Sequence, residues 1–166
     1  MATINLIKGD ITTMQVDAIV NAANTSLRGG GGVDGAIHRA AGQKLDEACQ
    51  KLNGCPTGEA KVTPGFNLPA KYVIHTPGPV WHGGHNNEPQ LLKNSYVNSL
   101  KRAVENHCQT VAFPSISTGV YDFPLNQAAK IAIDAIESFN AQLAVTMVCF
   151  DSETYSAYEN ELKERK

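Results

Sequence analysis

Short β-type runs alternate with longer helical periods along this chain, and that alternation restricts the fold more than any other feature. Residues 3–7, 17–20, 59–63, 71–76, 110–113 and 144–150 read as strands, bounded by Gly, Pro, Asn and Asp clusters. The last run is almost continuously apolar, the pattern of a strand covered on both faces. Residues 33–41, 43–52, 88–107, 124–139 and 153–165 read as helices, with Gly42 as a stop signal and Pro124 near a first turn, where its missing N–H costs nothing. Leu92, Tyr96, Leu100 and Val104 recur every four residues and predict one buried stripe. Strands joined by helices pair in parallel, so the expected architecture is a three-layer α/β/α fold with a largely parallel sheet.

The 166 residues suit one domain over 1–166, and a hydrophobic content of 42% supplies a core without disulfide or metal staples. With 14 basic against 16 acidic residues there is no global positive field, which disfavours nucleic acid as a partner. Cys49, Cys55, Cys108 and Cys149 show no C-x-x-C spacing, so reduced, buried thiols are expected instead of a zinc site or a disulfide scaffold. Residues 1–7 lack the charged start and apolar run of a signal peptide, and no window reaches the roughly 20 apolar residues of a membrane helix. The expectation is a soluble, cytoplasmic protein. His82 and His85 are separated by glycines that leave metal geometry unfixed, so a solvated loop is expected there. His75, within a strand pattern, reads as a satisfied core histidine, and the mixed charges from Glu159 to Lys166 read as a solvated helix face with Leu162 turned inward.

Two loops carry the chemistry. Residues 29–32 are all glycine, and Gly30, Gly32 and Gly35 satisfy G-x-G-x-x-G at the start of a helix, where backbone N–H groups and the helix dipole favour an anion. A dinucleotide fingerprint would follow its strand at once and be answered by an acidic residue about 20 positions later. Here residues 21–28 intervene, and Asp34 sits inside the motif, where a diphosphate would repel it. Turned instead toward neutral sugar hydroxyls, Asp34 becomes a candidate catalytic group; its local alternative is a helix N-cap. The second loop, residues 115–121, runs from strand to helix with hydroxyls, backbone donors and one aromatic, and can wrap a diphosphate or serve as an ordinary connection.

With these loops stand GDIT from Gly9, NAAN from Asn21, GGGGVDGAIH over 29–38 and STGVY over 117–121. Across nearly its whole length the chain resembles a macrodomain, more narrowly the MacroD-type branch that includes the bacterial O-acetyl-ADP-ribose deacetylases. The resemblance implies a mixed sheet of about six strands and a cleft for ADP-ribose. By that resemblance Asp10 accepts the adenine amino group and Ile11 adds a backbone contact. Asn24 orients the distal ribose, Asp34 helps activate water, and Gly32 and Val33 lend backbone contacts. Ser117, Thr118, Gly119, Val120 and Tyr121 form the diphosphate loop, with Tyr121 against the distal ribose, and Phe150 is placed to stack on adenine. Each has a local alternative: Asp10 and Thr12 organise a turn, Asn24 satisfies nearby backbone, Tyr121 and Phe150 fill the core. The family usually has glycine after the loop aromatic, whereas Asp122 stands here and brings a negative charge toward the diphosphate.

The implied activity is hydrolysis of an acyl ester on the distal ribose of ADP-ribose, the acyl group being acetate or a protein carboxylate. No metal or other cofactor is required, because such an ester leaves readily once water is aimed. The partner is ADP-ribose or an ADP-ribosylated substrate, and a monomer is expected. The alternatives are a noncatalytic ADP-ribose reader and an RNA-associated regulatory protein, the latter opposed by the mild acidity.

Overall fold

A computed structural model describes residues 2–165; the expectations that touch Met1 and Lys166 lie outside the described residues. Six strands, β1 (Thr3–Lys8), β2 (Ala18–Ala23), β3 (Lys61–Pro64), β4 (Tyr72–Pro77), β5 (Thr110–Phe113) and β6 (Ala144–Cys149), form one sheet in the order β1-β6-β5-β2-β4-β3. All neighbours pair in parallel except β3, which runs antiparallel to β4 at one edge. The mixed, mostly parallel sheet expected from the sequence is present. The helices are α1 (Gly32–Ala41), α2 (Gln43–Leu52), α3 (Glu88–Glu105), α4 (Leu125–Ser138) and α5 (Ser152–Glu164).

Alternating strand residues feed two apolar layers. Ile19, Val73, Ala112 and Val148 pack with Ile37, Ala41, Leu45 and Cys49 of α1 and α2. Val20, Ile74, Phe113 and Met147 pack with Leu100, Ile133 and Tyr158 of α3, α4 and α5 on the other face. All four cysteines are free and buried, as expected. No described helix is long and apolar enough to cross a membrane.

Several expectations are corrected. Strand β2 continues through Asn21 to Ala23, because its pairing with β4 extends that far; Asn21 is therefore a strand residue, opposite His75. On α3 the buried stripe does not include Val104, which is 44% exposed, while Ala103 is fully buried. A step of four overshoots the helical repeat by about 40°, so the inward face passes to Ala103 after three steps. Pro124 caps α4 from outside its first turn. Strand β6 ends at Cys149, and Phe150, 84% exposed, does not fill the core. Arg165 does more than face solvent: it reaches Asp134, Glu137 and Glu161 at 2.6, 2.8 and 3.1 Å and ties α5 to α4.

Candidate functional site

Parallel strands deliver their following loops to one edge of the sheet, so sequence-distant residues gather there. From β1 to β2 the sheet takes three strand spacings, about 14 Å in total. Asp10 follows β1 and Phe150 follows β6, whose ends are joined by the Gly9 N–H donating to the Cys149 carbonyl at 2.9 Å. The 115–121 loop follows β5, and Asn24 follows β2 beside α1.

Asp10 does organise a turn. Its Oδ1 accepts from the Thr12 N–H at 2.9 Å and from the Thr12 hydroxyl at 2.7 Å, capping a short 3-10 turn over Ile11–Thr13. Ile11 is buried under that turn. Phe150 and Val120, 84% and 90% exposed, are apolar surfaces with no core to fill.

The loop after β5 rests on a buried tyrosine pair. The Ile116 N–H donates to Tyr96 Oη at 3.1 Å, Tyr96 Oη donates to the Pro114 carbonyl at 3.3 Å, and the hydroxyls of Tyr158 and Ser115 lie 2.8 Å apart. Burial pushes both phenols up, Tyr158 to about 12, so they remain O–H groups. Thr118 Oγ1 donates to Ser115 Oγ at 2.8 Å. Ser117 sits at φ 68° with its hydroxyl buried and without a partner among the described residues. A Cβ on Gly78 would strike that Ser117 side chain, so the loops after β4 and β5 are packed in contact. Gly119 faces open space, and Tyr121, half-buried, accepts at its carbonyl from the Trp81 N–H at 2.8 Å.

Asp122 occupies the left-handed region at φ 61°, which explains why glycine suits this position. Asp122→Gly is expected to stabilise the fold by about 0.5–1 kcal/mol through relief of that backbone cost. Thermal melts check this.

Trp81 leads into the loop containing His82 and His85, which Glu88 organises. The Glu88 carboxylate accepts from the backbone N–H groups of His82, Gly84 and Asn86 at 2.7, 3.1 and 2.7 Å. Burial alone would raise its pKa, but these donors outweigh it and hold the carboxyl down to about 2.

The glycine cradle and its aspartate form a buried polar cluster. Gly31 caps α1, so Asp34 lies in the first turn and is not the N-cap. It is 5% exposed. Its Oδ1 accepts from Asn21 Nδ2 at 2.8 Å and lies 3.4 Å from His38 Nε2. Asn24 is tied to its own loop, Nδ2 donating to the Gly29 carbonyl at 3.0 Å and Oδ1 accepting from Ser26 at 2.7 Å. Gly30 lets both side chains come close: a Cβ there would lie 3.3 Å from Asp34 Oδ2, a tight contact, and 3.5 Å from Asn24 Nδ2. Both side chains therefore lie against the same glycine. Gly31 and Gly32 face nothing within 4 Å, and Val33 is half-buried.

Sequence reasoning gave no role to His38, although its i, i+4 spacing from Asp34 on one helix face was a usable signal. Asn21 was visible only as part of a motif. Among the described residues no group of three His, Cys, Asp or Glu side chains gathers that could hold a metal ion.

Comparison with known proteins agrees with this arrangement. The family model for the Macro domain matches residues 20–132. A Macro domain-containing protein of Lactiplantibacillus plantarum is 65% identical, covering 98% of this chain and 97% of its own. A Citrobacter rodentium protein named O-acetyl-ADP-ribose deacetylase is 53% identical, covering 98% of this chain and 96% of its own. The Trypanosoma brucei macrodomain solved in complex with ADP-ribose superposes with a TM-score of 0.89 at 43% identity, covering 96% of this chain and 68% of that one. Sheet order, glycine cradle and these likenesses together place the chain in the macrodomain family.

Proposed function

We propose that this macrodomain binds ADP-ribose along the edge described above and hydrolyses an acyl ester on its distal ribose. The observation that carries the reading is the Asp34 carboxylate, buried yet not spent on capping, whose Oδ2 lies with Asn24 against Gly30 of the glycine cradle. Binding alone does not demand a buried carboxylate beside a cradle built for an anion. The macrodomain solved with ADP-ribose and the relative named as a deacetylase support the same ligand and reaction class.

In this reading adenine lies between Asp10, the Ile11 backbone and Phe150. The diphosphate lies on residues 117–121 and the amides of Gly32 and Val33, and the distal ribose reaches Asn24, Asp34 and Tyr121. Water attacks the ester carbonyl carbon, the bond from that carbon to the ribose oxygen breaks, and a carboxylic acid and ADP-ribose leave. Holding the substrate at both ends supplies much of the acceleration as orientation. The main part of Asp34 is to aim the water and take up its proton as the ester opens.

Wild-type protein incubated with O-acetyl-ADP-ribose, and separately with glutamate-modified protein, is expected to release ADP-ribose or deacylate at least one of them. Calorimetric binding of ADP-ribose without turnover of either would replace this reading with a noncatalytic reader.

A further inference from the structure

His75, on β4, is fully buried, and nothing in the reaction above uses it. Parallel pairing of β2 and β4 sets it opposite Asn21, with both side chains on the face covered by α1 and α2. Its Nδ1 lies 3.2 Å from Asn21 Nδ2, and its Nε2 lies 2.9 Å from Thr63 Oγ1. Asn21 Nδ2 in turn donates to Asp34 Oδ1. We propose that His75 is a positioning residue for Asp34, acting through the carboxamide of Asn21. The inference rests on the hydrolase reading, since it concerns how that carboxylate is held.

Chemistry orders the chain. A carboxylate only accepts, so the Asn21 atom facing Asp34 is the nitrogen. The same nitrogen faces His75 Nδ1, which must then be the bare acceptor, and the ring proton sits on Nε2 toward Thr63. Both Asn21 hydrogens are thereby directed, one to His75 and one to Asp34. Burial pushes the imidazole down to about 4, with His38 adding to the drop and Asp34 opposing it. Nδ1 therefore stays available as an acceptor at neutral pH.

The arrangement has a cost that stability would not favour. Asn21 Oδ1 is buried and without a partner among the described residues. An amide turned the other way would gain a bond from a His75 protonated on Nδ1 but would set oxygen against the Asp34 carboxylate. Keeping a buried carbonyl unpaired in order to aim the nitrogen is the signature of a constraint imposed by the site.

The test uses three substitutions. Asparagine carries a polar atom where histidine has Nδ1, and glutamine carries one where it has Nε2. Turnover of O-acetyl-ADP-ribose by His75→Leu and His75→Gln is expected to show kcat reduced about a hundredfold, the scale of a misplaced catalytic group. KM and the ADP-ribose Kd should stay within about twofold, since a uniform binding contact is not being removed. His75→Asn should retain most of the kcat. Equal losses in His75→Asn and His75→Leu, or a rise in KM alone, would overturn the inference. Long-range proton–nitrogen NMR of the wild-type protein needs no turnover: it should show Nδ1 bare and Nε2 protonated, with slowly exchanging Asn21 carboxamide protons. A protonated Nδ1 would overturn the chain even if every variant unfolds. Absence of wild-type turnover with the expected NMR signature would instead count against the hydrolase reading.

Discussion

Asp34→Ala is expected to lower kcat for O-acetyl-ADP-ribose by about 10²–10⁴-fold, the range for removal of a positioned acid–base group. The ADP-ribose Kd should change far less, because the proposed adenine and diphosphate contacts come from other residues, including the Gly32 and Val33 backbone amides, which the substitution leaves in place. Asp34→Asn sharpens the test. Its amide oxygen can still accept from Asn21, where the present bond is 2.8 Å, so the local fold is preserved while the negative charge is lost. A comparable fall in kcat with both variants assigns the effect to charge and proton uptake. If either variant hydrolyses the ester at the parental rate, the catalytic assignment fails.

The second large effect is expected from Gly35→Ala. Replacing a helical glycine by alanine would ordinarily gain about 1 kcal/mol from propensity. At this position the added Cβ would collide with the Gly30 carbonyl oxygen, a backbone atom that no rotamer change can move aside. Overpacking of this kind costs about 1–3 kcal/mol, so the clash outweighs the propensity gain and the variant should melt earlier. Relief requires Gly30 to move away from the start of α1, which disturbs the first turn that holds the Gly32 and Val33 amides proposed to meet the diphosphate. ADP-ribose affinity is therefore expected to fall more than tenfold, about 1.4 kcal/mol or greater. Thermal unfolding and calorimetry check the two parts, and unchanged values in both would refute the packing argument.

The alternation of strands and helices was legible in the sequence, because buried parallel strands and amphipathic helices leave different periods. The antiparallel course of β3 was not, since four residues carry no signal of direction and only pairing with β4 sets it. The misplaced position of Asp34 in its glycine motif was visible as a charge conflict. Its resolution was only half legible: His38, one helical turn away, is signalled by spacing, but Asn21 lies on β2 and its bond to Asp34 exists only once β2 and α1 are packed. The Phe150 ambiguity was likewise open in one dimension, because an aromatic ending an apolar run reads equally as core or surface. The exit of β6 decided it.

By itself, then, the sequence determined the layer architecture, the glycine cradle and the candidate carboxylate, all of which follow from local pattern and residue chemistry. Only the tertiary structure decided that β2 extends through Asn21, that His75 lies opposite it, and that Asn24 and Asp34 lie against one glycine. The physical reason is that strand register and loop packing are set by contacts between separate segments of the chain, such as Asn21 and His75, whose separation is 54. No local preference encodes which partner such a residue will meet.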